Sequence, residues 1–334
     1  MTNVLGLDVG GANLKMAHTN GTAWTVPFEL WKHPHQLPDV LSELVALAPR
    51  FDRVAVTMTG ELCDCFETKR EGVHAILHAV ESACPRQPLW IWRNDGRFVA
   101  LDIALQTPYQ VAAANWLALA TFAGRFAQQG TAVLVDVGST TTDIIPLVNG
   151  EPGPQGKTDP ERLLSGELVY RGVRRTPLFW CLRERIVAEV FATMLDAFLV
   201  EGRQPENVND FATADGRPAT KGYAHARLAR MLGGDRDTCS ETATLQLARV
   251  AIQHLMQEIA EAVLCVAGCL PVPPSTVILS GSGEFFGRRI VEAIPTTPAP
   301  VLLSLNARLG HDLSVAACAY AVASLAGERN SLIG

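Results

Sequence analysis

In two segments of the sequence, a short apolar run contains one acidic residue near its end and is followed directly by glycine. In the first, the run Val4–Val9 contains Asp8 and leads into a glycine pair. Such a run predicts a strand that ends in a tight turn, and the backbone N–H groups exposed at glycine turns suit phosphate oxygens. The residues predicted to hold phosphate here are Gly10, Gly11, Asn13 and Lys15.

The same pattern returns in the second half of the chain. The run Thr131–Val137 is again apolar, contains Asp136 and leads into a glycine and four hydroxyl side chains. The predicted phosphate-binding residues of this copy are Gly138, Ser139, Thr140, Thr141 and Thr142. Asp8 and Asp136 are 128 positions apart (136 − 8 = 128). A repeated unit of strand, acid and glycine indicates an internal duplication, and the repeat is stronger evidence for a functional motif than either copy alone.

The two acids and a third glycine-rich junction suggest which ligands would bind. The third junction follows another apolar run and consists of Gly281, Ser282 and Gly283, where small side chains leave room for a flat group. Because Asp8 and Asp136 each end a predicted strand, we expect them to face each other across a cleft between two halves. Carboxylates beside bound phosphates hold Mg²⁺ through its waters. The sequence therefore predicts Mg²⁺ at Asp8 and Asp136, with ATP as a further candidate ligand.

A cluster of acids supplies candidates for a general base. Glu61, Asp64 and Glu67 lie within seven residues, directly after the predicted strand 54–58. Loops that follow strands frequently carry catalytic residues, and we take Glu61 and Asp64 as the candidate bases. A solvated loop leading into a helix is the alternative interpretation of this segment.

A basic segment further along the chain allows two interpretations. Arg171, Arg174 and Arg175 lie close together within 166–177. Guanidinium groups bind anions in bidentate geometry, so this segment could contact a phosphate. A solvated loop explains the same pattern equally well.

Strands and helices alternate along the chain, which predicts an α/β fold. The predicted strands are 4–9, 13–18, 23–28, 54–58, 89–92, 98–101, 131–137, 144–148, 277–280 and 301–305. The predicted helices are 38–48, 69–83, 108–128, 241–269 and 313–325, with helical patterns between 177 and 199. The segment 157–175 is polar and predicted to be rich in loops, and the segment 213–237 is rich in Gly, Asp and Arg.

Composition excludes several classes of protein. The chain has 334 residues, 48% of them hydrophobic, and a formal net charge of 28 − 34 = −6. That length predicts two domains, and a mildly acidic chain lacks the basic surface of a nucleic-acid-binding protein. The N-terminus has no signal-peptide pattern and the apolar stretches are too short or interrupted, so we expect no membrane association and a cytoplasmic location. Eight cysteines without metal spacing predict neither a disulfide scaffold nor a zinc site.

Three motifs together resemble those of a known superfamily. Asp8-Val9-Gly10-Gly11, Asp136-Val137-Gly138-Ser139-Thr140 and Gly281-Ser282-Gly283 are similar to the phosphate-1, phosphate-2 and adenosine motifs of acetate and sugar kinases, the heat-shock chaperone ATPase and actin. Ala112–Asn115 and Ser314–Ala319 resemble its two connecting helices. The resemblance covers nearly the whole chain. It implies two ribonuclease-H-like domains of the actin-like ATPase type with the active site in the cleft between them, and a last helix that crosses back to the first. We place these domains at 1–128 with 312–334 and at 129–311.

Longer strings narrow the resemblance. The segments 57–73, 136–146 and 166–177 resemble the hydantoinase/oxoprolinase-like proteins linked to tetrahydromethanopterin one-carbon metabolism. Archaeal members of that family join an aminomethylfuran-methyl diphosphate to γ-glutamyltyramine and release diphosphate in methanofuran biosynthesis. The resemblance thus implies a Mg²⁺-dependent transferase whose partners are a small diphosphate ester and a tyramine-type acceptor. The sequence is compatible with a homodimer and leaves the oligomeric state open.

One departure from the kinase pattern favours transfer over phosphorylation. Sugar kinases of the superfamily commonly carry a catalytic Asp just before the connecting helix, beside an Asn, but here Asn115 is preceded by Ala112–Ala114. A transferase with a diphosphate leaving group needs no base at that position. An ATP-dependent kinase or hydrolase, or a non-catalytic nucleotide-responsive regulator, would keep the same three motifs, and both alternatives stay open.

Overall fold

The computed structural model describes residues 2–182, 186–329 and 331–332, which form two compact units. The first unit comprises Met1–Leu134, Ile145–Arg162 and Leu303–Gly334, and the second comprises Val135–Ile144 and Leu163–Leu302. The domain boundaries given above, 1–128 with 312–334 and 129–311, stay predictions.

The first unit contains a six-stranded mixed sheet. Its strands are β1 (Val4–Val9), β2 (Asn13–His18), β3 (Ala23–Pro27), β4 (Arg53–Met58), β5 (Leu89–Trp92) and β6 (Phe98–Val99). Their order is β3-β2-β1-β4-β5-β6, with β1 antiparallel to β2 and parallel to β4. All six residues of the central strand β1 are buried, as expected for a strand covered on both faces. The strand therefore carries Asp8 into the interior of the unit.

The second sheet repeats this order. Its strands are β7 (Thr131–Val137), β8 (Thr142–Val148), β9 (Glu151–Pro152), β10 (Leu168–Val169), β11 (Thr276–Ser280) and β12 (Val301–Ser304). The order is β10-β8-β7-β11-β12, and β9 also pairs with β8. The strand β7 thus lies between its hairpin partner β8 and the later strand β11, just as β1 lies between β2 and β4. This matching order confirms the internal duplication that the repeated motifs predicted.

Thirteen α-helices connect the strands within the part of the chain that is described. They are α1 (Leu37–Ala46), α2 (Lys69–Ala83), α3 (Leu101–Gln106), α4 (Pro108–Val111), α5 (Asn115–Ala123), α6 (Asp159–Ser165), α7 (Met194–Glu201), α8 (Lys221–Met231), α9 (Glu241–Gly268), α10 (Glu284–Ala293), α11 (Leu305–Leu309), α12 (His311–Val315) and α13 (Ala317–Glu328). Short 3₁₀ turns occur at Pro34–Gln36, Gly124–Phe126 and Leu178–Cys181.

The last helix of the chain packs on the first sheet. Helix α13 contacts β1, β2 and β4, together with α5. A glycine at Gly6 makes this approach close, because a Cβ there would collide with the backbone carbonyl of Ala319. The return of the C-terminus to the first sheet is therefore as the resemblance implied, although the predicted helix 313–325 is divided between α12 and α13.

The single helix predicted over 108–128 is wrong. Helix α4 ends at Val111 and α5 begins at Asn115, with a non-helical step between them. Ala113 in this step has a φ of 46°, in the left-handed region that residues other than glycine seldom occupy. The predicted strand 98–101 is also shorter than expected, because Leu101 already begins α3. The predicted helical pattern over 177–199 includes 183–185, which lie outside the described residues.

A buried ion-pair network joins the helices of the second unit. The fully buried guanidinium of Arg227 in α8 lies 2.7 Å from Asp196 in α7 and 2.9 Å from Asp215. Asp196 also completes the capping box with Thr193 that begins α7. Removing one member of a buried pair leaves the other charge without compensation, so these residues fix the packing of α7 and α8.

Helix α9 is, in the described part of the chain, the one helix whose length and apolar composition also occur in membrane spans. One of its faces, which includes Leu247, Ala251 and Leu255, is buried, and the helix packs against α7 and α8. Core helices of globular proteins share this composition, so the length of α9 alone is weak support for membrane association.

Candidate functional site

Asp8 lies near the end of β1, and its carboxylate is 5% exposed. The register of the sheet pairs Asp8 with Lys15 on β2. Burial raises the pKa of Asp8 above its ordinary value, while the positive charge of Lys15 lowers it. Its Oδ1 has no hydrogen-bond partner among the described residues. A buried carboxylate oxygen without a partner is costly, so this position suits a bound cation or hydrogen-bond donor.

The turn after β1 is closed by a backbone hydrogen bond. The N–H of Gly10 donates to the carbonyl of Asn13 over 3.1 Å. A Cβ at Gly10 would lie 2.8 Å from that carbonyl oxygen, and a Cβ at Gly11 would lie 2.6 Å from Sγ of Cys63. Close approach of the backbone therefore favours glycine at position 10, whereas a larger residue at position 11 would have to displace the Cys63 side chain. The predicted residues Gly10, Gly11, Asn13 and Lys15 are brought together beside Asp8.

The turn after β7 is built in the same way. The N–H of Gly138 donates to the carbonyl of Thr141 over 2.8 Å, at positions 128 beyond Gly10 and Asn13. The hydroxyls of Ser139 and Thr140 lie 3.4 Å apart. Thr142 differs from the other hydroxyl residues, because it is fully buried and its Oγ1 donates to the carbonyl of Arg171 over 2.8 Å.

The segment 172–175 covers this second turn. The N–H of Val173 donates to the carbonyl of Gly138, and those of Arg174 and Arg175 donate to the carbonyl of Ser139. A Cβ at Gly172 would lie 2.6 Å from the backbone of Ser139, so only glycine fits there. The strings 136–146 and 166–177, which carried part of the family resemblance, therefore contact each other through 138–139 and 172–175, which lie in the second unit.

The side chains of the basic segment are largely used for structure. Arg174 forms an ion pair with Asp210 at 2.6 Å. Arg171 lies 3.5 Å from Glu258 and stacks over the ring of Trp180. Two of the three guanidinium groups thus already face acidic partners, and this observation favours a structural role over phosphate binding.

The third glycine junction lies beside Asp136. A Cβ at Gly281 would lie 2.6 Å from Oδ1 of Asp136, and Gly281 has a φ of 89°. The N–H of Gly283 donates to the carbonyl of Val137 over 2.8 Å, while Ser282 is exposed. In the second unit the structure thus brings Asp136, the turn 138–141 and the junction 281–283 together.

Burial separates the two candidate bases. Glu61 is 1% exposed, whereas Asp64 is exposed. Burial raises the pKa of Glu61 to about 7, although its own backbone N–H, the charge of Lys69 and a backbone hydrogen bond from Ala113 lower it. The nearby carboxylate of Asp159, which lies 3.4 Å from Lys69, raises it further. Oε2 of Glu61 is buried and has no hydrogen-bond partner in the described structure.

The hydrogen bond from Ala113 links Glu61 to the break between α4 and α5. No ionisable side chain occurs at Ala112–Ala114, as the sequence indicates, yet the carboxylate of Glu61 reaches the backbone of Ala113 from a different segment. The sequence analysis missed this arrangement, because the break at Ala113 carries no glycine or proline that would have marked it. A strained backbone beside a buried carboxylate is a frequent feature of functional sites.

No group of three His, Cys, Asp or Glu side chains within the described ranges is arranged to hold a metal by itself. Mg²⁺ commonly binds through one or two carboxylates and keeps several waters, so it does not need such a cage. The oxygen donor of Asp8 without a partner fits that mode. The role of Asp136 in binding Mg²⁺ stays a prediction.

Known proteins resemble this chain in sequence over most of its length. The model of the hydantoinase/oxoprolinase family matches residues 52–322. A protein of Methanocaldococcus jannaschii named (4-{4-[2-(γ-L-glutamylamino)ethyl]phenoxymethyl}furan-2-yl)methanamine synthase is 31% identical over 333 residues, covering 96% of this chain and 97% of the relative. A protein of the same name from Methanococcus vannielii is 31% identical over 201 residues, covering 58% of this chain and 89% of the relative.

Solved structures resemble the fold. The MamK double helical filament matches with a TM-score of 0.52 at 13% identity, covering 98% of this chain and 99% of the other. Acetone carboxylase in a nucleotide-free structure matches with a TM-score of 0.53 at 8% identity, covering 97% of this chain and 70% of the other. Together with the two sheets, these matches confirm the predicted α/β class with two ribonuclease-H-like domains of the actin-like ATPase type. The family match and the 31% identity over most of the chain show that it belongs to the hydantoinase/oxoprolinase family.

Proposed function

We propose that this chain is a transferase that bonds the phenol oxygen of γ-glutamyltyramine, or a related tyramine, to an aminomethylfuran-methyl carbon and releases diphosphate. The reaction belongs to methanofuran-type one-carbon cofactor biosynthesis. The name of the two archaeal relatives supports it, since it describes a phenoxymethyl group on a furan, and a synthase of that product must form the ether bond.

The observation that carries the proposal is the raised pKa of the buried Glu61 carboxyl group. In the reaction the phenol oxygen forms a bond to the methylene carbon, the bond from that carbon to the diphosphate oxygen breaks, and its electron pair leaves with diphosphate. The phenol proton must go to a base, because an unperturbed phenol has a pKa of about 10. Glu61, with a pKa of about 7 and a carboxylate oxygen that has no partner among the described residues, is a stronger base than an ordinary carboxylate.

The burial of Glu61 also suits a reactive intermediate. Loss of diphosphate from a furan-methyl carbon develops positive charge on that carbon, and water would capture it. Because Glu61 is almost fully buried, it can accept a proton at a position that excludes bulk water. Asp64, which is exposed, does not offer this protection.

The phosphate groups of the donor would bind at the glycine turns. In the first unit, the N–H groups of the turn Gly10–Asn13 other than that of Gly10 and the ammonium of Lys15 offer donors and positive charge. In the second unit, the hydroxyls of Ser139 and Thr140 offer further donors. The sequence prediction that Asp8 and Asp136 are Mg²⁺ residues is part of the proposal, because Mg²⁺ supplies stabilisation of the negative charge that develops on a leaving diphosphate.

The test is an incubation with Mg²⁺, an aminomethylfuran-methyl diphosphate and γ-glutamyltyramine, followed by assays for diphosphate and for the ether. The expected result is equal formation of both products. A parallel incubation with ATP in place of the diphosphate ester measures ADP. Release of ADP in the incubation with ATP, together with no ether in the incubation with the diphosphate ester, would mean that the protein is an ATP-dependent kinase or hydrolase instead of a transferase.

A further inference from the structure

Two buried hydroxyl groups have no role in the proposed reaction. Thr57 in β4 and Ser280 in β11 are both 0% exposed, and neither Oγ atom has a hydrogen-bond partner in the described residues. A buried polar group left unsatisfied costs about 1–3 kcal/mol, and native proteins contain few of them. Two such hydroxyls at comparable positions are therefore candidate binding residues.

Thr57 lies beside Asp8 in the first sheet. The two residues are partners in the parallel register of β1 and β4, so their side chains project from the same face of the sheet. That face is the one on which α13 packs, because Gly6, two residues before Asp8, contacts Ala319. On the other edge of β1, Asp8 is paired with Lys15 of β2. Lys15, Asp8 and Thr57 therefore form one polar row across the strands β2, β1 and β4.

The row contains two buried atoms that lack partners. Oδ1 of Asp8 and Oγ1 of Thr57 are both without a hydrogen bond, although they belong to neighbouring side chains. A hydroxyl that bonded directly to the carboxylate would have satisfied both atoms. Both atoms therefore keep an unfilled hydrogen-bonding position on the same face of the sheet.

The second unit repeats the hydroxyl at an equivalent position. The N–H of Gly60 donates to the carbonyl of Val9 over 3.0 Å, and the N–H of Gly283 donates to the carbonyl of Val137 over 2.8 Å. Thr57 and Ser280 each lie three residues before those glycines. They are thus equivalent residues of the duplicated fold, and each lacks a partner for its Oγ.

We infer that Thr57 is a binding residue of the Asp8 site: its hydroxyl binds one water of a Mg²⁺ ion that is held through Asp8, and Ser280 is its counterpart in the second unit. The inference rests on the proposed function only for the identity of the ion. Mg²⁺ gives up its waters reluctantly, so protein groups that bind those waters contribute to its affinity. Residues that support a metal through its outer contacts typically change affinity by about 10–100-fold when removed.

The test compares Mg²⁺ affinity by isothermal titration calorimetry in Thr57→Val, Thr57→Ser and the parent. Valine keeps the shape of threonine without its hydroxyl, so Thr57→Val should bind Mg²⁺ about tenfold more weakly or worse. Thr57→Ser should retain affinity within about threefold, because it keeps the hydroxyl. Thr25→Val is the matched control, since Thr25 is exposed and pairs with Lys15 at the outer end of the same row.

Thermal unfolding in EDTA is a second measurement. If the Thr57 hydroxyl had a purely structural role, its removal would change the unfolding temperature in the opposite direction. Without Mg²⁺, Thr57→Val should unfold at the parental temperature or higher, because it removes a buried hydroxyl that has no partner. A lower unfolding temperature in EDTA would show that the hydroxyl serves the fold, and parental Mg²⁺ affinity in Thr57→Val would equally overturn the inference. If the inference fails in this way while ether and diphosphate still form, the proposed function stands. If Mg²⁺ binding depends on Thr57 but no ether forms, the proposed function fails alone.

Discussion

Gly72 in helix α2 lies directly against the backbone of Glu61. A Cβ at Gly72 would come within 2.7 Å of Cα of Glu61, so no larger residue fits there without movement. The start of α2 is fixed in turn by Thr68, whose side chain accepts a hydrogen bond from the N–H of Glu71. The helix therefore sets the position of the buried carboxylate that we propose as the base.

Gly72→Ala should displace Glu61 and lower both stability and activity. Overpacking of a tight contact typically costs about 1–3 kcal/mol of unfolding free energy, which urea denaturation measures. Gly222→Ala is the matched control, because Gly222 is a helical glycine of α8 with no atom near its missing Cβ. The control should be as stable as the parent or more stable by up to about 1 kcal/mol. Parental stability and turnover in Gly72→Ala would contradict the close contact.

The raised pKa of Glu61 predicts a specific loss of stability with pH. The unfolded chain releases the Glu61 proton near 4.5, whereas the folded protein keeps it until about 7. The folded state therefore binds more protons between these values, and its stability falls as the pH rises through that window. Glu61→Gln cannot ionise, so its stability relative to the parent should increase from pH 4.5 to 7 by up to about 3 kcal/mol and then level off.

Urea denaturation of both proteins at several pH values measures this difference. Asp64→Asn serves as the control, because Asp64 belongs to the same acidic segment and is exposed. A stability difference between Glu61→Gln and the parent that stays constant from pH 4 to 8 would mean that Glu61 ionises normally.

Much of the fold follows from sequence periodicity. The predicted bounds of β2, α2 and β5 agree with the structure, because their apolar residues recur at strand or helix spacing between turn residues. The repeated strand–acid–glycine segments also predicted the two equivalent glycine turns. Periodicity is local information, and each of these features is determined by residues close together in the chain.

The least predictable part of the site depends on distant contacts. Nothing in the sequence separates Glu61 from Asp64, since burial of a loop residue is decided by the elements that pack on it, here α2 and the segment around Ala113. The left-handed conformation of Ala113 is equally invisible, because alanine favours a continuous helix. Tertiary packing overrides that preference, and the break in the helix lies where the backbone of Ala113 faces the Glu61 carboxyl group.

Asp8→Asn should abolish turnover without loss of the fold. Burial raises the pKa of Asp8, so its charged form is unfavourable in the absence of a cation. The neutral amide should therefore leave the unfolding temperature in EDTA unchanged or higher, while the stabilisation by added Mg²⁺ disappears. Asp136→Asn tests the second predicted metal residue by the same assay of turnover. Full activity with unchanged Mg²⁺ dependence in either variant would remove that residue from the metal site.

The protein should show no kinase activity towards acetate or sugars. The side chains before Asn115 offer no base, and the one carboxylate at that backbone, Glu61, is assigned to the phenol. Purified protein with Mg²⁺, ATP and a panel of small acceptors should therefore form ADP no faster than a blank without acceptor. Steady formation of ADP that depends on an acceptor would support the kinase alternative.

Glu61→Gln should slow the chemical step and spare binding of the diphosphate ester, because Glu61 is not one of the predicted phosphate-binding residues. General-base catalysis typically contributes about 10²–10⁴-fold, so kcat should fall by that order while KM for the diphosphate ester changes little. In the parent, kcat/KM should rise with pH and reach a plateau above about 7, as Glu61 loses its proton. Asp64→Asn should keep both the rate and this profile. Loss of activity in Asp64→Asn with parental rates in Glu61→Gln would transfer the role of base to Asp64, and parental rates in both would make the acidic segment a solvated loop.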